Sequence, residues 1–265
     1  MDITALDRSA VLGDSLLHRA TPRVKLAAAS ILLAASMVTP DPLVAAGVAL
    51  SVTGVATLLR LPLRTVLPLA LYPAVFAAVF AFAAAPGLVT AALIVLRAVT
   101  AALVVVTLMM TTPYPQVFAP LQRVLPTVVG DAMLMTYRSL FLLAEKFADL
   151  LRAIRLRAGL RARQPVRTAQ ATTRALGGLL LYSFDLAQRE YDILRLRGYE
   201  RGFRVAPRIG TEPAADGATL IYAAAILGVV LAFRFIPGAH AYSWLITLGG
   251  LFDLLTGIVI RRRTR

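Results

Sequence analysis

Residues 88–111 read LVTAALIVLRAVTAALVVVTLMMT. No proline or glycine interrupts the run, and Arg97 is its single ionisable residue. A bilayer crossing takes about 20 apolar residues, so the pattern predicts a transmembrane helix over Leu88–Thr111. Pro86-Gly87 marks a turn before it. Ahead of that turn lies a second apolar run, Val66–Ala85, with Pro68 and Pro73 placed to bend it. Two further runs, Val24–Thr39 and Leu43–Leu59, flank Pro40-Asp41-Pro42, whose prolines end one helix and open the next. Towards the C-terminus, Thr219–Ile236 and Tyr242–Ile260 are separated by Pro237-Gly238. The expectation is an all-α polytopic membrane protein with about six transmembrane helices.

Composition agrees. Of the 265 residues, 58% are hydrophobic and 16% charged, with mean hydropathy +0.75. Soluble domains run nearer 45–50% apolar and about 25% charged. That excess argues against a soluble enzyme, and also against disorder. The chain has no cysteine, which removes disulfides, thiolate metal sites and cysteine nucleophiles. The net charge of +14 points to cytoplasmic loops of a membrane protein before nucleic acid. Residues 1–23 hold Asp2, Asp7, Asp14, Arg8 and Arg19 without an apolar run of signal length, and read as a cytoplasmic lead-in.

The basic residues sort by side. Four precede or open the first span (Arg8, Arg19, Arg23, Lys25), two lie in Arg60–Arg64, sixteen between Thr112 and Gly217, and four in Arg261–Arg265. The loops on the opposite side carry none. The positive-inside rule then places both termini and the middle segment in the cytoplasm. The domain plan is 1–112 for the lead and spans one to four, 113–217 for a cytoplasmic region, and 218–265 for the last two spans and a basic tail.

The middle segment reads as two long amphipathic cytoplasmic helices. In the first, about Gly130 to Arg163, Phe147, Leu151, Ile154 and Ala158 form one stripe. Gln164-Pro165 breaks it. The second runs from about Thr168 to Arg197, with Leu176, Leu180, Ser183, Ala187, Tyr191 and Leu194 near one face and Gly198 where a C-cap glycine sits. Neither helix reads as apolar enough to span, and both need a partner surface.

These segments carry a family likeness. The chain resembles the T component of energy-coupling factor (ECF) transporters, in particular the CbiQ/NikQ-like proteins of cobalt and nickel uptake. Leu6-Asp7-Arg8-Ser9-Ala10 through Ser15-Leu16-Leu17-His18 is similar to the metal-type N-terminus. Thr21-Pro22-Arg23-Val24-Lys25-Leu26 resembles the Pro-Arg-x-Lys-Leu lead into the first span. Leu96-Arg97-Ala98, Thr111-Thr112-Pro113, Pro126 and Met135-Thr136-Tyr137-Arg138 follow the family's order. Gln188 to Tyr199 resembles its second Ala-Arg-Gly signature.

The resemblance implies a transducer rather than a catalyst. Two ABC ATPase subunits (CbiO/NikO-like) would hold ATP and Mg. A metal-binding membrane S component (CbiM/NikM-like), with a small accessory membrane subunit, would take the substrate, and this chain would join them. No cofactor would be bound by the chain itself. The second Ala-Arg-Gly-like motif stands as Leu196-Arg197-Gly198. The first is placed at Leu156-Arg157-Ala158, with Arg155 as the alternative register. Each arginine could form a bidentate pair with an ATPase carboxylate. Arg197-Gly198 also reads simply as a helix cap.

Two readings stay open for Arg97, a functional intramembrane cation or a satisfied structural one. Arg234 reads as snorkelling to the outer interface. The remaining arginines read as contacts to solvent or the lipid bilayer surface. His18 and His240 fall on opposite sides in this topology, and no metal-ligand spacing or phosphate loop is present. A T component for another substrate, such as a vitamin, and a stand-alone secondary carrier are the competing functions.

Overall fold

The computed structural model describes residues 15–39, 41–59, 61–121, 125–156, 165–199, 212–235 and 243–263. Among them there are helices and no strands: α1 (Leu16–Arg19), α2 (Pro22–Val38), α3 (Pro42–Leu58), α4 (Leu63–Ala84), α5 (Leu88–Thr111), α6 (Tyr114–Leu121), α7 (Thr127–Leu156), α8 (Pro165–Leu196), α9 (Pro213–Phe235) and α10 (Ser243–Arg263). The fold class expected from the sequence is the one observed. All six predicted spans are helices, α2 to α5, α9 and α10, with ends displaced by a few residues. Pro22 and Pro42 stand at the first positions of α2 and α3, where a missing N–H costs nothing. α4 continues through Pro68 and Pro73.

One correction concerns length. Residues 65–84, α5, α7 and α9 are long and apolar enough to cross a membrane, while α3 and residues 243–259 are apolar but shorter. α7 therefore overturns the reading that neither long middle helix could span. It starts at Thr127, and Asp131 and Arg138 are the only charges over its first half. The stripe farther along, with its arginines, dominated the sequence pattern. α2, with 17 residues and an opening that carries Arg23 and Lys25, stands at the short end of the spanning range. α8 begins at Pro165, earlier than predicted, and α6 was not visible in the pattern.

The chain divides into two compact units, residues 1–117 with 206–265, and residues 118–205. In the first, Ala29, Ala49, Val52, Ala56, Leu61, Val66, Ala70, Leu103, Val104 and Met110 form a core shared by α2 to α5 and the turn before α4. Ala35, Val44, Val48 and Val230 form a second cluster, with Ile246 packed against it.

The closest packing is between α3 and α10. A Cβ on Gly250 would lie 2.5 Å from the Gly47 carbonyl oxygen, and one on Gly54 would lie 2.8 Å from the Asp253 backbone. Lipid gives no hydrophobic drive for two apolar helices to meet, so close backbone approach through small residues supplies the contact. Intrahelical bonds satisfy the hydroxyls of this region, Ser51 to the Val48 carbonyl at 3.0 Å and Thr57 to the Gly54 carbonyl at 2.6 Å, as a non-aqueous surround requires.

In the second unit α7 and α8 run antiparallel. Tyr199 meets Asp131, Glu190 meets Ser139 and Tyr182 meets Lys146. Each descent along α8 of eight or nine residues thus matches a rise along α7 of seven or eight.

Candidate functional site

α8 ends in a specific stop. Gly198 has φ +67°, a conformation that costs a Cβ-bearing residue. The Tyr199 N–H bonds the Leu194 carbonyl at 3.0 Å, and the Gly198 N–H bonds the Arg195 carbonyl at 3.1 Å. Those two bonds define a Schellman cap. The cap reading of Gly198 is therefore structurally realised, and it leaves Arg197 exposed at the tip. Beside it Leu196 is 88% exposed.

A groove of about 370 Å³ opens next to this tip. Leu134 and Met135 of α7 line it with Ile193 and Leu194 of α8, and Arg138, Glu190 and Arg197 stand around it. Glu190 accepts from the Ser139 hydroxyl at 3.2 Å, with the Arg138 guanidinium 4.0 Å away. Tyr137 is held edge-on by Phe118 at 6.4 Å and Phe141 at 5.0 Å. Of the predicted pair, Tyr137 thus packs α7 against Phe118 of α6, while Arg138 stands at the rim of the α7–α8 groove.

The other tip is described up to Leu156. Arg155 is exposed and Leu156 is 89% exposed, while Arg157 and Ala158 lie outside the described residues. Both tips therefore present a bare leucine beside a predicted arginine. A single exposed leucine is ordinary by itself; what the two tips share is its place at a helix end next to a predicted arginine. α7 and α8 are antiparallel, and about 22 residues separate Leu134 from Leu156. At 1.5 Å per residue the two tips stand on the order of 35 Å apart.

In the first unit three cations rest on carbonyls at helix ends. The buried Lys25 donates to the carbonyl of Thr111, the last residue of α5, at 3.0 Å, and to the His18 carbonyl at 3.4 Å. Arg97 donates to the Thr39 carbonyl at 2.5 Å, and Arg234 to the Val38 carbonyl at 3.4 Å. Both arginines thereby cap the C-terminal end of α2. The last carbonyls of a helix lack intrahelical partners and carry the negative end of its dipole. The Thr39 bond favours the structural of the two readings left open for Arg97, although its buried Nε has no hydrogen-bond partner among the described residues. Pro22-Arg23-x-Lys25 is explained likewise: Pro22 starts the helix, Lys25 turns inward and Arg23 stays exposed.

Several partners escaped sequence reasoning. The Asp216 carboxylate accepts from the Thr21 N–H at 2.6 Å and hydroxyl at 3.1 Å, and Arg19 pairs with Glu212 at 2.9 Å. These tie the start of α2 to the start of α9 across almost two hundred residues. Asp131 and Tyr199 were missed too, although a lone carboxylate in the apolar opening of α7 was a signal. The glycines of α3 and α10 repeat at seven-residue spacing, 47 and 54 against 250 and 257, a signal the sequence itself carries. Among the described residues, no group of three His, Asp or Glu side chains could hold a metal ion.

Comparison with known proteins adds a family. The family model described as CbiQ, cobalt transport protein, matches residues 13–208, about three quarters of the chain, from α1 through α8. No curated protein matches the chain significantly.

Proposed function

Because the chain belongs to the CbiQ cobalt transport protein family and is a multi-pass membrane protein, we propose that it is the energy-coupling T subunit of an ECF-type ABC importer. In this reading it links ATP hydrolysis by two ABC ATPase subunits to an S component that binds cobalt or nickel. ATP and Mg stay on the ATPases, and the metal ion is cargo of the S component. The chain itself catalyses nothing and sits in a bacterial inner membrane with both termini cytoplasmic.

The observation that carries this reading is the pair of matching tips, Leu196-Arg197 and the exposed Arg155-Leu156 turn that leads to Arg157. Two tips on the order of 35 Å apart suit two ATPase subunits better than one. At each, an apolar side chain fills a pocket and a guanidinium meets a carboxylate through a fork that lysine cannot reproduce. The rigid helices behind the tips convert ATPase closure into motion on the membrane side. Arg197 leads, because its helix end is fixed by the cap; Arg157, or Arg155 in the alternative register, is second.

The test is assembly. The parent chain, Arg157→Ala, Arg197→Ala and the double variant are co-expressed with an ABC ATPase pair and a small metal-binding membrane protein. The double variant should keep the membrane partner and lose the ATPases. Retention of the ATPases with parental metal uptake overturns the reading. Single cysteines at positions 40 and 156, in this chain without cysteine, test the orientation. Residue 40 should label from outside and residue 156, at the far end of α7, from the cytoplasm. Labelling of residue 156 from outside would make α7 a further crossing.

A further inference from the structure

The carboxylate of Asp131 is part of a contact that the proposed coupling reading leaves unused. Asp131 is 5% exposed and lies near the start of α7, in a turn otherwise made of Val128, Val129 and Gly130. A carboxylate withdrawn from water is costly unless donors reach it. The Tyr199 hydroxyl donates to its Oδ2. Tyr199 follows Gly198 directly, so the left-handed glycine is what turns the tyrosine back from the end of α8 towards the beginning of α7.

This places Arg197 between two anchors. Upstream it is the last residue before the cap of a helix of 32 residues. Downstream, two positions on, the chain is clasped to α7. Helix ends fray when nothing holds them, and a frayed tip absorbs force instead of passing it on. The clasp attaches to α7 at Asp131, one turn before Leu134 and Met135, which line the groove beside Arg197. The same turns of both helices therefore hold the tip and border the groove.

We propose that Asp131 and Tyr199 are positioning residues that clasp the Arg197 tip to α7, so that force on the arginine moves both helices together. The inference rests on the coupling reading above, and it adds a distinct signature. Loss of Arg197 removes ATPase docking. Loss of the clasp leaves docking and hydrolysis in place and lowers the ions moved per ATP hydrolysed.

The experiment uses the whole transporter in proteoliposomes, scored for metal uptake per ATP hydrolysed. Tyr199→Phe keeps shape and removes only the hydroxyl. Asp131→Ala removes the acceptor, and Asp131→Asn retains an amide oxygen that can accept the same bond. Nitroxides at cysteines placed at positions 128 and 195 report the separation of the two helix ends within the complex.

Tyr199→Phe and Asp131→Ala should each lower uptake per ATP threefold or more with ATPase binding intact. The double variant should be no worse than either single change, as expected for two halves of one contact. Asp131→Asn should stay within twofold of the parent. The distance distribution should broaden in Tyr199→Phe and in Asp131→Ala and remain narrow in Asp131→Asn.

If Arg197→Ala abolishes coupling while Tyr199→Phe matches the parent in both readouts, the clasp is refuted and the coupling reading stands. If Arg197→Ala itself transports at the parental ratio, the coupling reading falls and the proposal falls with it. Additive losses in the double variant overturn the clasp as well. Should Asp131→Ala fail to assemble, Tyr199→Phe alone decides, since it perturbs no packing volume.

Discussion

The two units hold their helices in different ways. In the unit of residues 1–117 and 206–265, helices share two buried clusters, glycines let backbones touch, and lysine and arginine close the helix ends. In the unit of residues 118–205, only Gly130, Asp131 and Ala175 are buried among the described residues. There α7 and α8 meet through a few polar or aromatic contacts: the Asp131–Tyr199 bond, the Ser139–Glu190 bond, and Lys146 over the Tyr182 ring at 5.3 Å. Helices joined over a continuous packed surface resist shear, because every side chain must move at once. Helices joined at points can pivot about them. The first arrangement suits a frame and the second suits a lever.

The largest expected effect breaks the frame. Gly250→Leu puts a branched side chain where a Cβ already meets the Gly47 carbonyl oxygen at 2.5 Å. Overpacking costs about 1–3 kcal/mol where side chains yield, and more where only backbone can. The detergent-solubilised variant should lose its monodisperse peak in size-exclusion chromatography. A parental elution profile and melting temperature would show that α3 and α10 are not closely packed.

Next comes the pair of cations on the ends of α2 and α5. Arg97→Met and Lys25→Met should each destabilise by about 1–3 kcal/mol, the penalty for a buried acceptor left without its donor. Arg97→Lys should recover part of that loss. Thermal unfolding of the purified protein measures it. Equal melting temperatures for Arg97→Met and the parent would remove the capping role and restore the functional reading of that residue.

The smallest effect is expected on the lever. Asp185 pairs with Arg189 at 2.5 Å on an exposed face of α8, both side chains being more than half accessible. Exposed pairs spaced i, i+4 contribute about 0.3–0.5 kcal/mol. Asp185→Asn should therefore leave melting temperature and uptake within error. A loss as large as that for Arg97→Met would mean that α8 is buried in a manner the described contacts do not include.

The spans were legible because a bilayer imposes a length and an apolar run that few other constraints produce. Leu88–Thr111 was read to the residue. The cap at Gly198 was legible for a similar reason, since its signals are local. What depends on distant partners was not legible. Nothing near Arg97 in the sequence indicates that a carbonyl at Thr39 awaits it, and Thr21 gives no hint of Asp216. The membrane propensity of α7 was hidden by averaging, because an apolar first half and an arginine-rich second half were read as one amphipathic helix.

In the proposed coupling, Arg197 acts at a partner and not in the fold. The most direct test pairs metal uptake by the whole transporter with thermal unfolding of the subunit, for Arg197→Ala and Arg197→Lys. Removing one side of a buried charge pair at an interface costs about 2–5 kcal/mol, which exceeds one decade of affinity. Uptake should fall more than tenfold with alanine and recover in part with lysine, with the melting temperature unchanged in both. Parental uptake by Arg197→Ala, with normal expression and its ATPases bound, would contradict the coupling and leave Arg197-Gly198 as a helix cap alone.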